Sequence, residues 1–135
     1  MQTDHVRLDE IARRHGVVLM LVFGSAESGR QHPRSDLDIA VLLERPSPSF
    51  HELADLTHDV QTLFPREKLD LALINTADPL FLKQITDRCR LLYGNPRRLL
   101  ELKLYAYKRY QDHRRYLALE REYVSRALQA PADQC

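Results

Sequence analysis

The chain has 135 residues, 44% hydrophobic and 29% charged, with two cysteines and a formal net charge of +1. That length supports one domain with its own core, and Cys89 and Cys135 stand too far apart to suggest a disulfide framework or a zinc site, so a reducing cytoplasm is the expected location. The longest apolar run, Val17 to Phe23, is too short to span a bilayer, and Met1-Gln2-Thr3-Asp4-His5 lacks the basic start and apolar stretch of a signal peptide, so no membrane partner is expected.

Leu8, Ile11, Ala12 and His15 recur at helical spacing, which predicts an amphipathic helix stopped by Gly16. Val17 to Phe23 follows as a buried strand. Gly24 to Ser35 reads as a loop, with Gly29 and Pro33 as breakers. Asp36 to Glu44 is a second strand, closed by Pro46 and Pro48. Ser49 with Glu52 forms a capping box for a helix running to about Phe64. Lys68 to Ile74 is a third strand. Asp78-Pro79 starts a helix that runs to about Cys89, and Arg90 to Tyr93 is a short fourth strand turned by Gly94. Asn95-Pro96 opens a long helix to about Gln129. The expected fold is α/β (α+β): a small mixed sheet flanked by helices, with a core over 1–95, a helical extension over 96–130 and a flexible tail over 131–135.

The chemistry concentrates in Phe23-Gly24-Ser25 and, after ten intervening residues, Asp36-Leu37-Asp38. On a strand, side chains at i and i+2 share a face, so Asp36 and Asp38 project together while Leu37 and Ile39 enter the core. Paired carboxylates repel unless a cation lies between them, and hard oxygen donors suit Mg²⁺ or Mn²⁺. Asp70 interrupts an otherwise apolar strand; if that strand lies beside the Asp36–Asp38 strand, Asp70 reaches the same site. Gly24-Ser25 supplies a tight turn whose amides and hydroxyl can hold phosphate oxygens. An Asp-x-Asp alone is most often a solvated edge; the succession of strand, Gly-Ser turn, Asp-x-Asp strand and later Asp strand favours function.

That succession resembles the signature of the DNA-polymerase-beta-like nucleotidyltransferases, above all their minimal, MntA-type branch, over Val17 to Tyr93. The resemblance implies the nucleotidyltransferase fold, metal-dependent transfer of a nucleoside monophosphate, and ATP as substrate. It assigns Asp36, Asp38 and Asp70 as catalytic metal ligands, with Asp70 also helping to deprotonate the acceptor hydroxyl. Gly24 and Ser25 would bind the triphosphate. Many relatives carry a basic residue before the glycine matched by Gly29; here Ser28 stands there and Arg30 follows, so Arg30 is carried as the nucleotide contact. MntA-type proteins are antitoxins of HEPN ribonuclease toxins, which implies a hetero-oligomeric partner silenced by transfer of AMP to a tyrosine. A small-molecule or RNA acceptor, and a non-catalytic toxin-binding module, are the alternatives.

The last helix is basic: from Arg97 to Gln129 it carries net +5, against −3 in the residues before it. Tyr105, Tyr107, Tyr110, Tyr116 and Tyr123 are interleaved with Lys and Arg, a mixture that suits stacking on nucleic acid or a protein interface. Tyr105 and its neighbours are expected to pack on the sheet, and the later turns to extend beyond it. A protein partner is preferred to nucleic acid. Arg109 and His113 resemble a HEPN Arg–His pair, but their spacing is one residue short and the rest of that fold is missing. His51 and His58 lie too far apart along their helix to share a metal.

Overall fold

A computed structural model describes residues 4–24 and 36–129. Helix α1 (His5–His15) is capped by Asp4, whose carboxylate accepts from the Val6 and Arg7 amides, and it stops at Gly16 in the left-handed conformation, φ +65°. Strand β1 (Val17–Phe23) lies in the interior of a four-stranded sheet with order β3-β2-β1-β4. β2 (Leu37–Leu43) and β4 (Cys89–Tyr93) flank β1, both antiparallel, and β3 (Leu69–Leu73) runs parallel to β2. Between them come α2 (Phe50–Gln61), a short 3₁₀ turn (Ile74–Thr76) and α3 (Pro79–Asp87). α4 (Pro96–Gln129) follows, with the Asn95 side chain accepting from the Arg97 amide at 2.9 Å. This is the small mixed sheet with flanking helices and long final helix that the sequence predicts.

Strand alternation divides the core between the two faces of the sheet. Leu37, Ile39, Val41 and Leu43 of β2 pack with Leu8, Ile11, Leu56 and Val60 of α1 and α2. Ala40 and Leu42 join Leu19, Leu21 and Phe23 on the opposite face, beneath Leu82 and Ile85 of α3 and Leu102 and Ala106 of α4. Only the first turns of α4 have a surface to cover. Its buried stripe is Leu102 and Ala106, whereas Tyr105 is 52% exposed, so the expected packing of Tyr105 on the sheet is not found. The small Ala106 lets α4 approach, and α3 reaches back through Lys83, whose ammonium lies 4.9 Å from the Tyr110 ring centroid.

The element ends differ from expectation where side chains intervene. Ser49 caps α2 by accepting from the Glu52 amide at 3.1 Å, but the Glu52 carboxylate pairs with Arg45 instead of returning to the cap, so only half of the capping box forms. α2 ends at Gln61, short of Phe64. β3 gives way at Ile74 to the 3₁₀ turn, where the Asn75 amide exchanges two hydrogen bonds with the Leu43 backbone, at 2.9 and 2.8 Å.

α1 and α2 are fastened by His15 Nε2 and Asp59 Oδ2 at 2.7 Å. The hydrogen bond from His15 is the main cause that holds the Asp59 carboxyl below its ordinary value; burial opposes it, and the charges of His15, Arg14 and His58 add to the lowering. A lowered carboxyl contributes stability above its unfolded-state pKa and loses it as pH falls through the folded one. Asp59→Asn should therefore destabilise the fold at neutral pH by on the order of 1 kcal/mol. The difference from the parent should close at acid pH. Thermal melts across pH check it; a constant difference would place the effect in packing rather than in charge.

Candidate active site

The register of the sheet brings the acidic positions together. Phe23, the last residue of β1, lies opposite Asp38 on β2, and Asp38 lies opposite Asp70 on β3. By alternation Asp38 and Asp70 share the sheet face of Ala40 and Ala72. Asp36 stands just before β2, next to Leu37, whose amide donates to the Lys68 carbonyl at 2.8 Å. Asp36, Asp38 and Asp70 thus occupy one corner of the sheet. Ser25 and Arg30, the predicted triphosphate contacts, lie outside the described residues.

Gly24 shapes this corner. Its φ of +78° is left-handed backbone, and a Cβ built there would lie 2.5 Å from Asp38 Oδ2. The missing side chain is therefore the space the Asp38 carboxylate uses. Beneath it, Phe23 meets Phe81 of α3 edge to face, centroids 6.1 Å apart, which fixes the end of β1 against that helix.

Asp38 is half-buried, and its carboxyl is pushed up first by burial, then by the negative charges of Asp70 and Asp36. Among the described residues none of the three carboxylates has an ion-pair or hydrogen-bond partner. Nor do any three acidic, histidine or cysteine side chains there converge tightly enough to enclose an ion. Uncompensated like charges hold one another apart, and only a cation would draw them together. An all-carboxylate donor set with this unmet charge fits Mg²⁺ or Mn²⁺.

Two side chains that the sequence did not single out hold the frame. Gln61, at the end of α2, donates to the Phe64 and Glu67 carbonyls, both at 2.8 Å, and accepts from the Leu69 amide at 3.0 Å. It ties the turn that delivers β3, and hence Asp70 opposite Asp38 of β2, to the end of α2. Asn75 anchors the other end of the same strand pair. Nothing in the local pattern distinguishes either from a surface amide. His51 and His58 are exposed on α2, as expected of a solvated face.

The family model described as Polymerase beta, Nucleotidyltransferase matches residues 7–98, a span that holds all three carboxylates. No curated protein gives a significant match. Among solved structures, a chain of a toxin–antitoxin crystal structure with AMP-PNP superposes with a TM-score of 0.70 at 22% identity, covering 94% of this chain and 99% of that one. A chain from a complex of tri-AMPylated Shewanella oneidensis HEPN toxin with MNT antitoxin gives 0.64 at 19%, covering 93% and 96%. The MntA-HepT toxin–antitoxin structure gives 0.64 at 19%, covering 93% and 97%. These likenesses establish the nucleotidyltransferase fold. Among the described residues no helix is long and apolar enough to cross a membrane.

Proposed function

Because the chain belongs to the polymerase beta nucleotidyltransferase family, we propose that it transfers AMP from ATP to a tyrosine hydroxyl of a HEPN ribonuclease toxin and so acts as its antitoxin. The observation that carries this reading is the register Phe23–Asp38–Asp70, which sets two carboxylates side by side against the bare backbone of Gly24. The same fold in toxin–antitoxin structures, one with AMP-PNP and one with an AMPylated toxin, supports the choice of nucleotide and partner.

In this reading Asp36, Asp38 and Asp70 hold divalent ions, and Gly24, Ser25 and Arg30 contact the phosphates. A bound Mg²⁺ or Mn²⁺ supplies positive charge to the phosphoryl oxygens and to the attacking hydroxyl. Asp70, exposed near the start of β3, accepts the proton of the acceptor hydroxyl. The acceptor oxygen then bonds to the α-phosphorus, the bond from that phosphorus to the bridging oxygen breaks, and pyrophosphate leaves. The chain's own contribution is positioning and electrostatics. Incubating the protein with ATP and its toxin, followed by mass spectrometry, tests the proposal: AMP on a toxin tyrosine supports it, and an unmodified, still active ribonuclease contradicts it.

The outer half of α4 is proposed as the toxin-docking surface. From Arg114 onward every described residue is exposed, with Tyr116, Leu119, Tyr123 and Leu128 among them, so this stretch has no role in the core. Tyr and Arg are favoured interface anchors. Reversing Arg114 and Arg115 to Glu should cut co-purification with the toxin, because charge mismatch across an interface costs several kcal/mol. Stability should move by only about 0.5 kcal/mol. Undiminished binding would shift the interface to the segment of Arg30 and Arg34.

A further inference from the structure

Gly24 has a second neighbour, on the side away from Asp38. Phe23 pairs with Asp38 across one edge and with Cys89 across the other, so the residue preceding Cys89 flanks the same turn. A cleft of about 320 Å³ opens there, lined by Gly24, Gln84, Asp87 and Arg88. The charges around it are unequally committed. Both Asp87 carboxylate oxygens are bonded to Lys83 Nζ at 2.9 Å. Arg88, the exposed residue that ends α3, has no ion-pair or hydrogen-bond partner among the described residues. Among the described residues the cleft therefore offers a guanidinium that no partner holds and the Gln84 amide, beside an Asp87 carboxylate already paired with Lys83.

From this placement we infer that Arg88 binds the β- and γ-phosphates of the triphosphate, as a positioning residue for the leaving pyrophosphate. The inference rests on the proposed nucleotidyl transfer and extends it by a contact at the end of α3. Strands lie about 4.8 Å apart, so Asp38 and Cys89 are about 10 Å apart across Phe23. Carboxylates for the α-phosphate end and a guanidinium for the far end thus stand on either side of one glycine turn. The planar fork of Arg matches phosphate oxygens in pairs, which an ammonium does not. The carbonyls at the end of α3 oppose an anion, but their field is screened and fades within a turn, whereas the guanidinium reaches beyond it.

Arg88→Gln separates this role from a structural one. In the full-length protein with Mg²⁺, the variant should bind ATP and inorganic pyrophosphate roughly tenfold or more weakly, the loss of one charge-assisted contact. AMP, which lacks those phosphates, should bind unchanged, and the melting temperature should hold because Arg88 is exposed. Arg88→Lys should recover part of the ATP affinity by charge alone. Equal weakening for ATP and AMP, or no weakening for either, overturns the role of Arg88 while leaving transfer by the parent protein intact. A parent that binds neither ATP nor pyrophosphate overturns the nucleotidyl-transfer reading together with it.

Discussion

Asp38→Asn is expected to lower AMP transfer on the order of a thousandfold, since it removes a charge at the point where negative charge must be screened during the reaction. The fold should survive, and without metal it should be slightly more stable. Burial, Asp70 and Asp36 together raise the Asp38 carboxyl, so its ionised form is disfavoured by folding. The linkage follows from that direction: the group favours the folded state below its unfolded-state pKa, and that advantage disappears as pH rises through the folded pKa. At neutral pH the ionised side chain thus works against the fold, and Asn relieves it with almost no change of volume. Added Mg²⁺ should raise the melting temperature of the parent by mass action, and the variant much less. Transfer assays paired with melts in Mg²⁺ and in chelator read both halves. Parent-like transfer by the variant would remove Asp38 from the site.

Gly24→Ala should be nearly as damaging to activity while also weakening the fold. The new Cβ meets Asp38 Oδ2 at 2.5 Å, and φ of +78° is unfavourable for any L side chain. The backbone penalty is about 1–2 kcal/mol. The carboxylate can relieve the contact only by moving out of its place between Gly24 and Asp70. A displacement of that size at a reacting centre reduces rate by about a hundredfold. Thermal melting and single-turnover transfer measured together distinguish the two effects. A variant that loses stability but keeps full activity would show that Asp38 does not need the space Gly24 leaves.

The elements with local punctuation were legible in the sequence. Asp78-Pro79 and Asn95-Pro96 mark helix starts because their side chains cap the following amides, at 2.8 Å to Phe81 and 2.9 Å to Arg97. Gly16 marks a stop because only a left-handed residue closes α1 there. The acidic corner was legible because carboxylates interrupt two otherwise apolar strands, and the exposed position of Asp70 near the start of β3, beside β2, removes the conflict with burial that such a residue would otherwise carry. Its geometry follows from register, and the pairing of Asp38 with Asp70 realises the adjacency that the residue pattern required. Features set by tertiary partners were not legible. Glu52 fits a capping box, yet Arg45 competes for it across a turn. Tyr105 fits an interior aromatic, yet Ala106 is the residue that meets α3. Gln61 and Arg88 resemble ordinary surface positions until the β2–β3 and β1–β4 pairings place them beside Asp70 and Gly24.

The proposed reaction moves the α-phosphoryl group of ATP, with its nucleoside, to a protein hydroxyl. ATP labelled at the α-phosphorus and ATP labelled at the γ-phosphorus, each incubated with the protein, Mg²⁺ and the toxin, distinguish that reaction from any other use of ATP. Label on the toxin is expected from the α position alone, with the γ label recovered as pyrophosphate, and on the order of a thousandfold less α label with Asp38→Asn. Label on the toxin from the γ position, or none from the α position, would contradict that reaction.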